Sequence, residues 1–323
     1  MMYPLKFKKI FKEKVWGSRK FETLLDMNIP ADINIGESWE VSLHGKDISI
    51  VENGSFTGKS LEELLNEYKE KLVGKEVFNE FQYNFPLLIK YLDINDRLSV
   101  QVHPNDEYAI IHEGELGKSE SWYIIEASQD AKIILGLNNN ITKDKFLELI
   151  KKGDITNSFN VVNVKKGDFI DIEPGLIHAS LEGSITICEI QQNSDATYRI
   201  YDFNRIVEGE LRPLHLDKAL DVIDYNKKAN ISTERSRSNI KLKNANIQVL
   251  IKNKYFKIDK IVVEGEYQDF LNLNFKIFSI LDGQGEIICN NYREKIKKGE
   301  TFFVPAELDV KIEGNLEILK SYI

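Results

Sequence analysis

Short apolar runs separated by turn residues dominate the chain. The runs are rich in Ile, Val, Phe and Tyr and are bounded by Gly, Asn and Asp, which is the pattern of β-strands. The predicted strands include Leu87–Ile94, Leu98–His103, Ser121–Glu126, Phe169–Ile172 and Ile185–Gln191. Many short strands joined by tight turns indicate a mainly β protein built as a sandwich or a barrel.

Helical spacing of apolar residues occurs in three segments. Ser60–Leu72 places leucines and a tyrosine at helical spacing after Ser60, a residue type that caps helix N-termini. Thr142–Lys152 lies between a capping threonine and Gly153, which favours a helix that ends at the glycine. His215–Tyr225 is the third predicted helix. A few helices therefore accompany the strands.

A polar stretch interrupts the strand pattern in the second half of the chain. Asn226–Asn239 is almost without apolar residues, which predicts a linker or a mobile loop. At about 150 residues per domain, a chain of 323 residues is long enough for two domains. We therefore expect residues 1–238 to form one domain and residues 239–323 to form a smaller β domain.

A weak internal repeat connects these two parts. The segments that begin at Lys165 and at Lys297 both read Lys-Lys-Gly, an acidic residue, an apolar strand, a Pro-centred turn and another strand. This hairpin resembles the second motif of the cupin superfamily, a small double-stranded jelly-roll barrel. The position four residues after the proline is His178 in the first copy and Asp309 in the second. Only the first barrel is therefore expected to hold a metal through imidazole, and the C-terminal domain is expected to be a degenerate cupin.

Charge and composition exclude several classes of protein. Lys and Arg number 43 and Asp and Glu number 51, a net charge of −8, which argues against nucleic-acid binding. Cys188 and Cys289 do not make a disulfide framework and are expected to be reduced core thiols. The first residues contain no apolar core of a secretory signal, and no uncharged apolar run approaches the roughly 18 residues of a membrane span. The expected location is the cytoplasm.

Four dispersed side chains could bind one metal ion. Ser99, Gln101 and His103 alternate along a predicted strand and therefore share one face. Glu120 precedes an apolar strand, and His178 follows a Pro-Gly turn at the start of another. Two imidazoles, a carboxylate and an amide oxygen, without a thiolate, fit a divalent ion such as zinc. Three strong ligands and one weak one indicate an open catalytic site.

Two cationic residues are candidates for contacts with an anion. Lys90 lies inside the apolar segment Phe85–Leu92, where a charge needs a partner or a polar cavity. The alternative is a lysine that snorkels at the edge of a strand. Arg199 follows the His178 strand, and its fork of donors suits a phosphate or a developing oxyanion. Taken alone, Arg199 fits a surface or salt-bridged arginine better than a site residue.

These segments as a group resemble the type I mannose-6-phosphate isomerases. The matching blocks span about residues 3 to 220 and include Phe85–Lys90, Leu98–Pro104, Lys118–Tyr123, Pro174–Ala179 and Gln191–Arg205. The resemblance implies a cupin enzyme that reversibly interconverts mannose 6-phosphate and fructose 6-phosphate. It also implies one Zn²⁺ per chain, held by Gln101, His103, Glu120 and His178.

The resemblance further implies roles for the cations around this metal. It assigns Arg199 and Lys118 to catalysis, and Ser99, Lys90 and Arg199 to substrate binding. Moving a carbonyl between C1 and C2 passes through an enediolate, and Arg199 would stabilise its negative charge. Lys90 or Lys118, with Ser99, would hold the phosphate. Three groups remain open as the proton carrier: Lys118 with a lowered pKa, a metal-bound water, or a carboxylate.

Two other functions fit parts of the same pattern. Two histidines and a carboxylate are also the ligands of non-haem iron or manganese oxygenases. The three cations Lys90, Lys118 and Arg199 favour a phosphorylated sugar over an oxygenase substrate. A non-catalytic sugar-binding protein on a cupin scaffold is the third possibility, and the complete set of metal ligands argues against it.

Overall fold

Three antiparallel sheets stacked in layers make up most of the protein. The computed structural model describes residues 2–207, 209–228, 231–232, 238–270 and 273–323. The fold is mainly β with short helices, which confirms the predicted class. The described strands form separate sheets in sandwich-like layers and not one closed barrel.

The strands, numbered β1 to β24 along the chain, belong to three large sheets and two ribbons. The seven-stranded sheet has the spatial order β17 (Ile231–Ser232), β11 (Phe169–Ile172), β8 (Glu120–Ala127), β13 (Ile185–Gln192), β6 (Leu87–Ile94), β3 (Ile35–Val41) and β2 (Ile10–Ser18). The five-stranded sheet has the order β10 (Phe159–Asn163), β9 (Lys132–Leu137), β12 (His178–Glu182), β7 (Val100–Val102) and β14 (Tyr198–Tyr201). The eight-stranded sheet has the order β1 (Leu5–Lys6), β23 (Thr301–Val304), β21 (Lys276–Cys289), β24 (Val310–Tyr322), β20 (Lys257–Asp269), β19 (Ala245–Lys252) and β18 (Asn239–Lys241), with β22 (Tyr292–Lys297) beside β21. The ribbons are β4 (Leu43–His44) with β5 (Asp47–Ile48), and β15 (Ile206–Val207) with β16 (Glu210–Leu211).

Helices connect and flank the sheets. The α-helices are α1 (Lys20–Leu25), α2 (Leu61–Tyr68), α3 (Glu70–Val73), α4 (Lys75–Phe81), α5 (Asp106–His112), α6 (Lys143–Lys152) and α7 (Leu216–Val222), with 3-10 turns at Gly54–Phe56 and Ile155–Ser158. Ser60 caps α2 and Thr142 caps α6, as predicted. The predicted helix over 60–72 is broken at Lys69, whose φ of 50° ends α2 before α3 begins. Within the described residues, no helix is long and apolar enough to cross a membrane.

The seven-stranded sheet is the middle layer and is buried on both faces. Leu92 and Trp122 point from one face into a core shared with the five-stranded sheet. Tyr91 and Phe169 point from the other face into a core that includes Phe303 of the eight-stranded sheet. Every residue of β6 and β13 is consequently buried, which explains why β6 is apolar except for Lys90 and Asp93.

Most predicted strands are confirmed, and the differences have local causes. β6 and β11 have the predicted bounds, whereas the strand predicted over 98–103 is shortened to β7. Residues 229–230 and 233–237 of the predicted linker lie outside the described residues. The linker prediction is wrong for Ile231–Ser232, because these residues pair with β11. Cys188 and Cys289 are buried free thiols, as expected.

The predicted repeat corresponds to two strand–turn–strand hairpins in different sheets. In the first copy β11 is followed by Pro174 and then by β12, which begins at His178. In the second copy β23 is followed by Pro305 and then by β24. The N-terminal strand β1 pairs with β23, so residues from both ends of the chain lie in the eight-stranded sheet. The division of the chain at residue 238 stays a prediction.

Candidate active site

Three strands bring the predicted metal ligands to one point. Gln101 lies in β7 and His103 just after it, Glu120 is the first residue of β8, and His178 is the first residue of β12. One ligand atom each of His103, Glu120 and His178 lies within 4.8 Å of the others. All three side chains are fully buried. Residues separated by 75 positions along the sequence therefore converge between the middle and the five-stranded sheets.

Backbone carbonyls orient both imidazoles. The Nδ1–H of His103 donates to the carbonyl of Ala196 at 2.8 Å, and that of His178 donates to the carbonyl of Leu176 at 3.0 Å. Each Nε2 then carries its lone pair and faces Glu120, at 3.4 Å for His103 and 3.1 Å for His178. Metal-binding histidines are held in this way, with one nitrogen bonded to the protein and the other free for the ion.

The donor atoms fit a divalent cation. The buried His103 Nε2 and both carboxylate oxygens of Glu120 have no hydrogen bond of ordinary geometry within the described part of the chain. Lys118 Nζ lies 2.9 Å from Glu120 Oε2, but the remaining lone pairs of this cluster are costly in a protein interior unless an ion or another partner satisfies them. The Gln101 Nε2 lies 3.1 Å from His178 Nε2, and turning the amide would present its oxygen instead. The set would then be two nitrogens and two oxygens.

The charges around the cluster favour the protonation states that bind metals. Burial and the nearby Lys118 lower the pKa of His103 to about 4, which keeps the imidazole neutral at pH 7. Burial alone would raise the pKa of Glu120, but Lys118 and His103 hold it well below its usual range. Burial alone would likewise lower the pKa of Lys118, but Glu120 and Glu189 raise it. Neutral imidazoles and an ionised carboxylate are the forms that ligate metals.

A glycine turn sets the start of the His178 strand. Gly175 has a φ of +86°, a conformation that residues with a Cβ rarely adopt. A Cβ at this position would lie 3.0 Å from the carbonyl of Val222. The Gly175 N–H donates to the carbonyl of His103 at 2.9 Å, so the turn connects the strands that carry two of the ligands.

A cavity of about 280 Å³ adjoins the metal cluster. It is lined by all five predicted residues that are not His or Glu ligands: Lys90, Ser99, Gln101, Lys118 and Arg199. Two of these residues connect it to the cluster, because Gln101 contacts His178 and the Lys118 Nζ lies 2.9 Å from Glu120 Oε2. The structure thus brings every predicted site residue to one cavity or to the cluster beside it.

Lys90 belongs to a row of paired side chains across the middle sheet. Trp39, Lys90, Glu189 and Trp122 are register neighbours on β3, β6, β13 and β8. The Lys90 Nζ lies 3.4 Å from Glu189 Oε1 and 4.9 Å from the centre of the Trp39 ring. Trp122 Nε1–H donates to Glu189 Oε2 at 2.8 Å. Lys90 is 4% exposed, so it lines the cavity wall and does not snorkel at an edge.

Arg199 lies in the same row of the five-stranded sheet as two of the predicted metal ligands. It is the register neighbour of Gln101, and Gln101 is the register neighbour of His178. Its Nη1 donates to the carbonyl of Pro213 at 2.8 Å, which holds the guanidinium at the cavity. Burial and the nearby Arg212 lower the pKa of Arg199.

Comparison with known proteins identifies the family. The profile of "Phosphomannose isomerase type I, catalytic domain" matches residues 4–124, and that of "Mannose-6-phosphate isomerase, cupin domain" matches residues 246–323. The chain is 38% identical over 330 residues to the probable mannose-6-phosphate isomerase GmuF of Bacillus subtilis, covering 100% of both chains. The chain belongs to the type I mannose-6-phosphate isomerase family. Mannose-6-phosphate isomerase ManA of the same organism is 37% identical, with 99% of each chain covered.

Solved structures of this family share the fold. The crystal structure of the mannose 6-phosphate isomerase from Bacillus subtilis superposes with a TM-score of 0.90 at 34% identity, covering 99% of each chain. A putative mannosephosphate isomerase from Archaeoglobus fulgidus has a TM-score of 0.75 at 21% identity, covering 100% of this chain and 98% of its own. The second match establishes similarity of fold alone.

Several cavity residues of this family member were not predicted as site residues. They are Lys14, Trp16, Glu37, Trp122, Glu189, Asp195, Thr197 and Arg212. Trp16 and Glu37 lie in the segments Val15–Gly17 and Gly36–Glu40, two short motifs that could have drawn attention to them. Glu189 is a charge inside the apolar strand segment Ile185–Ile190, the same kind of signal that singled out Lys90. Lys14 and Arg212 stand in no distinctive local pattern. Their place at the cavity depends on which strands pair.

Proposed function

We propose that this chain catalyses the reversible, metal-dependent interconversion of mannose 6-phosphate and fructose 6-phosphate. The observation that carries the proposal is a buried His-Glu-His cluster beside a cavity lined by lysine and arginine. A metal next to a cationic cavity suits a phosphorylated, oxygen-rich substrate. The names of the full-length relatives support isomerisation of mannose 6-phosphate.

Zn²⁺ is the ion that we propose for the cluster. Gln101, His103, Glu120 and His178 would hold it, and they offer the borderline nitrogen and oxygen donors that zinc accepts. Bound there, zinc would supply Lewis acidity toward the oxygens of the sugar. Within the described residues, the cluster is the sole group of three His, Cys, Asp or Glu side chains close enough to share an ion. One ion per chain is therefore expected.

The residues of the chain would stabilise the enediolate and orient the substrate. Isomerisation removes a proton from C2 of the aldose and returns one to C1, while the C2 hydroxyl loses a proton and the C1 oxygen gains one. Negative charge develops on these two oxygens in the enediolate. Arg199, in the row of Gln101 and His178, is the group we propose to stabilise that charge. The ammonium of Lys118, close to Glu120, would act on the same charge. Lys90 and Ser99 would contact the rest of the sugar from the cavity wall.

We also propose that the two expected domains have different roles, catalysis in the first and structural support in the second. All three clustered ligands and every named cavity residue lie within residues 1–238. The part from residue 239 onward would then support the catalytic part without binding metal. The contacts between β1 and β23 and the shared core are the means of that support.

The test combines metal analysis with an isomerase assay. Formation of glucose 6-phosphate from mannose 6-phosphate is followed through a coupling enzyme that consumes fructose 6-phosphate, before and after chelation and after addition of Zn²⁺. We expect activity to disappear on chelation and to return with the metal. His178→Ala should lose bound metal and activity together, because it removes one of three strong ligands.

His112→Ala is the matched control, since His112 is exposed at the end of α5. It should retain both metal and activity. Turnover that survives complete metal removal, or full activity in His178→Ala, would contradict the proposal. Oxygen consumption in place of isomerisation would favour the oxygenase alternative.

A further inference from the structure

The lysines at the inner end of the cavity are neutralised by carboxylates. The side chains of Lys90 and Lys118 are 5% and 6% exposed, and each is paired, Lys90 with Glu189 at 3.4 Å and Lys118 with Glu120 at 2.9 Å. The negative charge of Asp195 also acts on Lys118. The end of the cavity next to the metal cluster therefore carries little surplus positive charge.

Arg199 and Arg212, which line the cavity, and Arg205, which shares Asp202 with Arg212, are incompletely neutralised. Arg212 Nη1 donates to Asp202 Oδ2 at 3.0 Å, and Arg205 Nη1 lies 3.6 Å from Asp202 Oδ1. A single buried carboxylate therefore serves two guanidiniums, and the further partner of Arg205 is the exposed Asp96. Within the described ranges Arg199 has no carboxylate in ion-pair distance, and its buried Nε has no hydrogen-bond partner. Three guanidiniums face two carboxylates, which leaves surplus positive charge.

Arg212 presents this surplus charge to the cavity. Its side chain is 27% exposed, far more than the inner lysines, and it lines the cavity together with Arg199. The ion pair with Asp202 and a hydrogen bond from its N–H to the carbonyl of Arg205 hold it in place. A guanidinium held by one carboxylate still has donors free to bind a phosphate through two parallel hydrogen bonds.

We propose that Arg212 binds the phosphate of the substrate at the mouth of the cavity and thereby selects phosphorylated over free sugars. The inference rests on the proposed function. In a hexose 6-phosphate the reacting carbons C1 and C2 lie at one end of the chain and the phosphate lies at the other. With C1 and C2 at the metal cluster, the phosphate must lie away from it. Lys118 contacts a metal ligand, so it is placed to contact the reacting end.

The kinetic test compares Arg212→Gln and Arg212→Lys with the wild-type protein loaded with zinc. Loss of a charge-assisted contact should raise the KM for mannose 6-phosphate about 10- to 100-fold. The inhibition constant of inorganic phosphate should rise in parallel, while kcat stays within a few-fold and metal content is unchanged. Arg212→Lys should recover part of the loss, because it restores the charge without the fork. Arg293→Gln, an exposed arginine of β22, is the matched control and should behave as wild type.

The outcomes separate this inference from the proposed function. Wild-type isomerase activity with unchanged KM and phosphate inhibition in Arg212→Gln would overturn the inference and leave the proposed function intact. A loss of kcat at unchanged KM would also overturn it. Calorimetric titration with inorganic phosphate needs no isomerase activity. Binding to zinc-loaded wild type that is lost in Arg212→Gln and kept in Arg293→Gln would support the anion site by itself.

Discussion

Some side chains at this site should control metal binding, and others should control turnover. The imidazoles of His103 and His178 face Glu120 directly, whereas the guanidinium of Arg199 is held by the carbonyl of Pro213. Metal affinity and turnover should therefore respond to different substitutions, although all these residues meet at one cavity.

Arg199→Ala should abolish most turnover and retain the metal. Removing a group that stabilises developing negative charge lowers kcat by about 10²- to 10³-fold. The contacts that orient His103 and His178 do not involve Arg199, so the ion should stay bound. Measurement of kcat together with metal content checks both parts. Loss of metal, or an unchanged kcat, would contradict the role proposed for Arg199.

Asp171 should make stability depend on pH. Burial and the nearby Glu173 raise the pKa of Asp171 to about 6, above the usual 3.8 of a free aspartate. The folded state therefore holds a proton more tightly than the unfolded state, and stability falls as pH rises from about 4 to 6. Above this pH range Asp171 is ionised in the folded protein, and the free energy of unfolding is lowered by the full amount.

Asp171→Asn removes this cost while keeping an oxygen for the contact with Ser121. At pH 7 the variant should be more stable by about 2–3 kcal/mol, and at pH 4 the difference should vanish. Urea unfolding at several pH values measures it. A difference that is independent of pH would show that Asp171 titrates normally in the fold.

At the scale of elements, the two hairpins of the repeat belong to sheets that bury different kinds of side chain. The first hairpin carries His178 and completes the His-Glu-His cluster. The eight-stranded sheet instead buries ammonium groups: Lys276, fully buried at the start of β21, lies 2.5 Å from Asp269, and Lys320 in β24 lies 2.7 Å from it. The eight-stranded sheet thus buries positive charge that comes from lysines of its own strands, where the first hairpin contributes a histidine to a possible metal site.

Asp269→Asn should destabilise the fold without affecting the metal. Removing the carboxylate that pairs with both Lys276 and Lys320 leaves two buried ammonium groups poorly compensated, which costs about 3–5 kcal/mol. Lys298→Met is the control: Lys298 pairs with the half-exposed Asp282, and exposed pairs contribute about 0–1 kcal/mol. Chemical unfolding measures both variants, and metal content should equal that of wild type. Equal stability of the two variants would contradict the prediction.

At the scale of the whole molecule, aromatic rings join the first and last parts of the chain. The Phe303 ring is stacked on Phe275 at 5.3 Å and lies 5.9 Å from Phe85 and 6.3 Å from Phe7. Residues on both sides of position 238 therefore share one core. This core is the physical reason to expect the two predicted domains to unfold together.

Phe303→Ala should destabilise the whole protein in one transition. Truncating a fully buried phenylalanine costs about 3–5 kcal/mol. The midpoint temperatures of calorimetric unfolding and of activity loss should fall together, since the core spans the eight-stranded and middle sheets. Phe270→Ala removes an exposed ring and should have little effect. Two separate transitions in Phe303→Ala would show that the domains are independent.

The sequence alone determined the features that depend on local rules. Capping residues located α2 and α6, and alternation along a strand placed Ser99 and Gln101 on the face that lines the cavity. The Pro-Gly turn marked His178 as the start of a strand. These signals lie within a few residues of one another, because backbone conformation and side-chain direction are largely local properties.

Only the tertiary structure decided which distant groups meet. Lys90 fitted a cavity wall or a strand edge equally well until Glu189, on a strand remote in sequence, became its partner. Arg212 carried no local signal, and nothing near Glu189 in the sequence indicated that Lys90 would be its partner. Strand pairing and the stacking of three sheets set these contacts, and they depend on how the whole chain buries its apolar surface. The sequence specifies which charged side chains are present, but the packing of the folded chain determines which of them become partners.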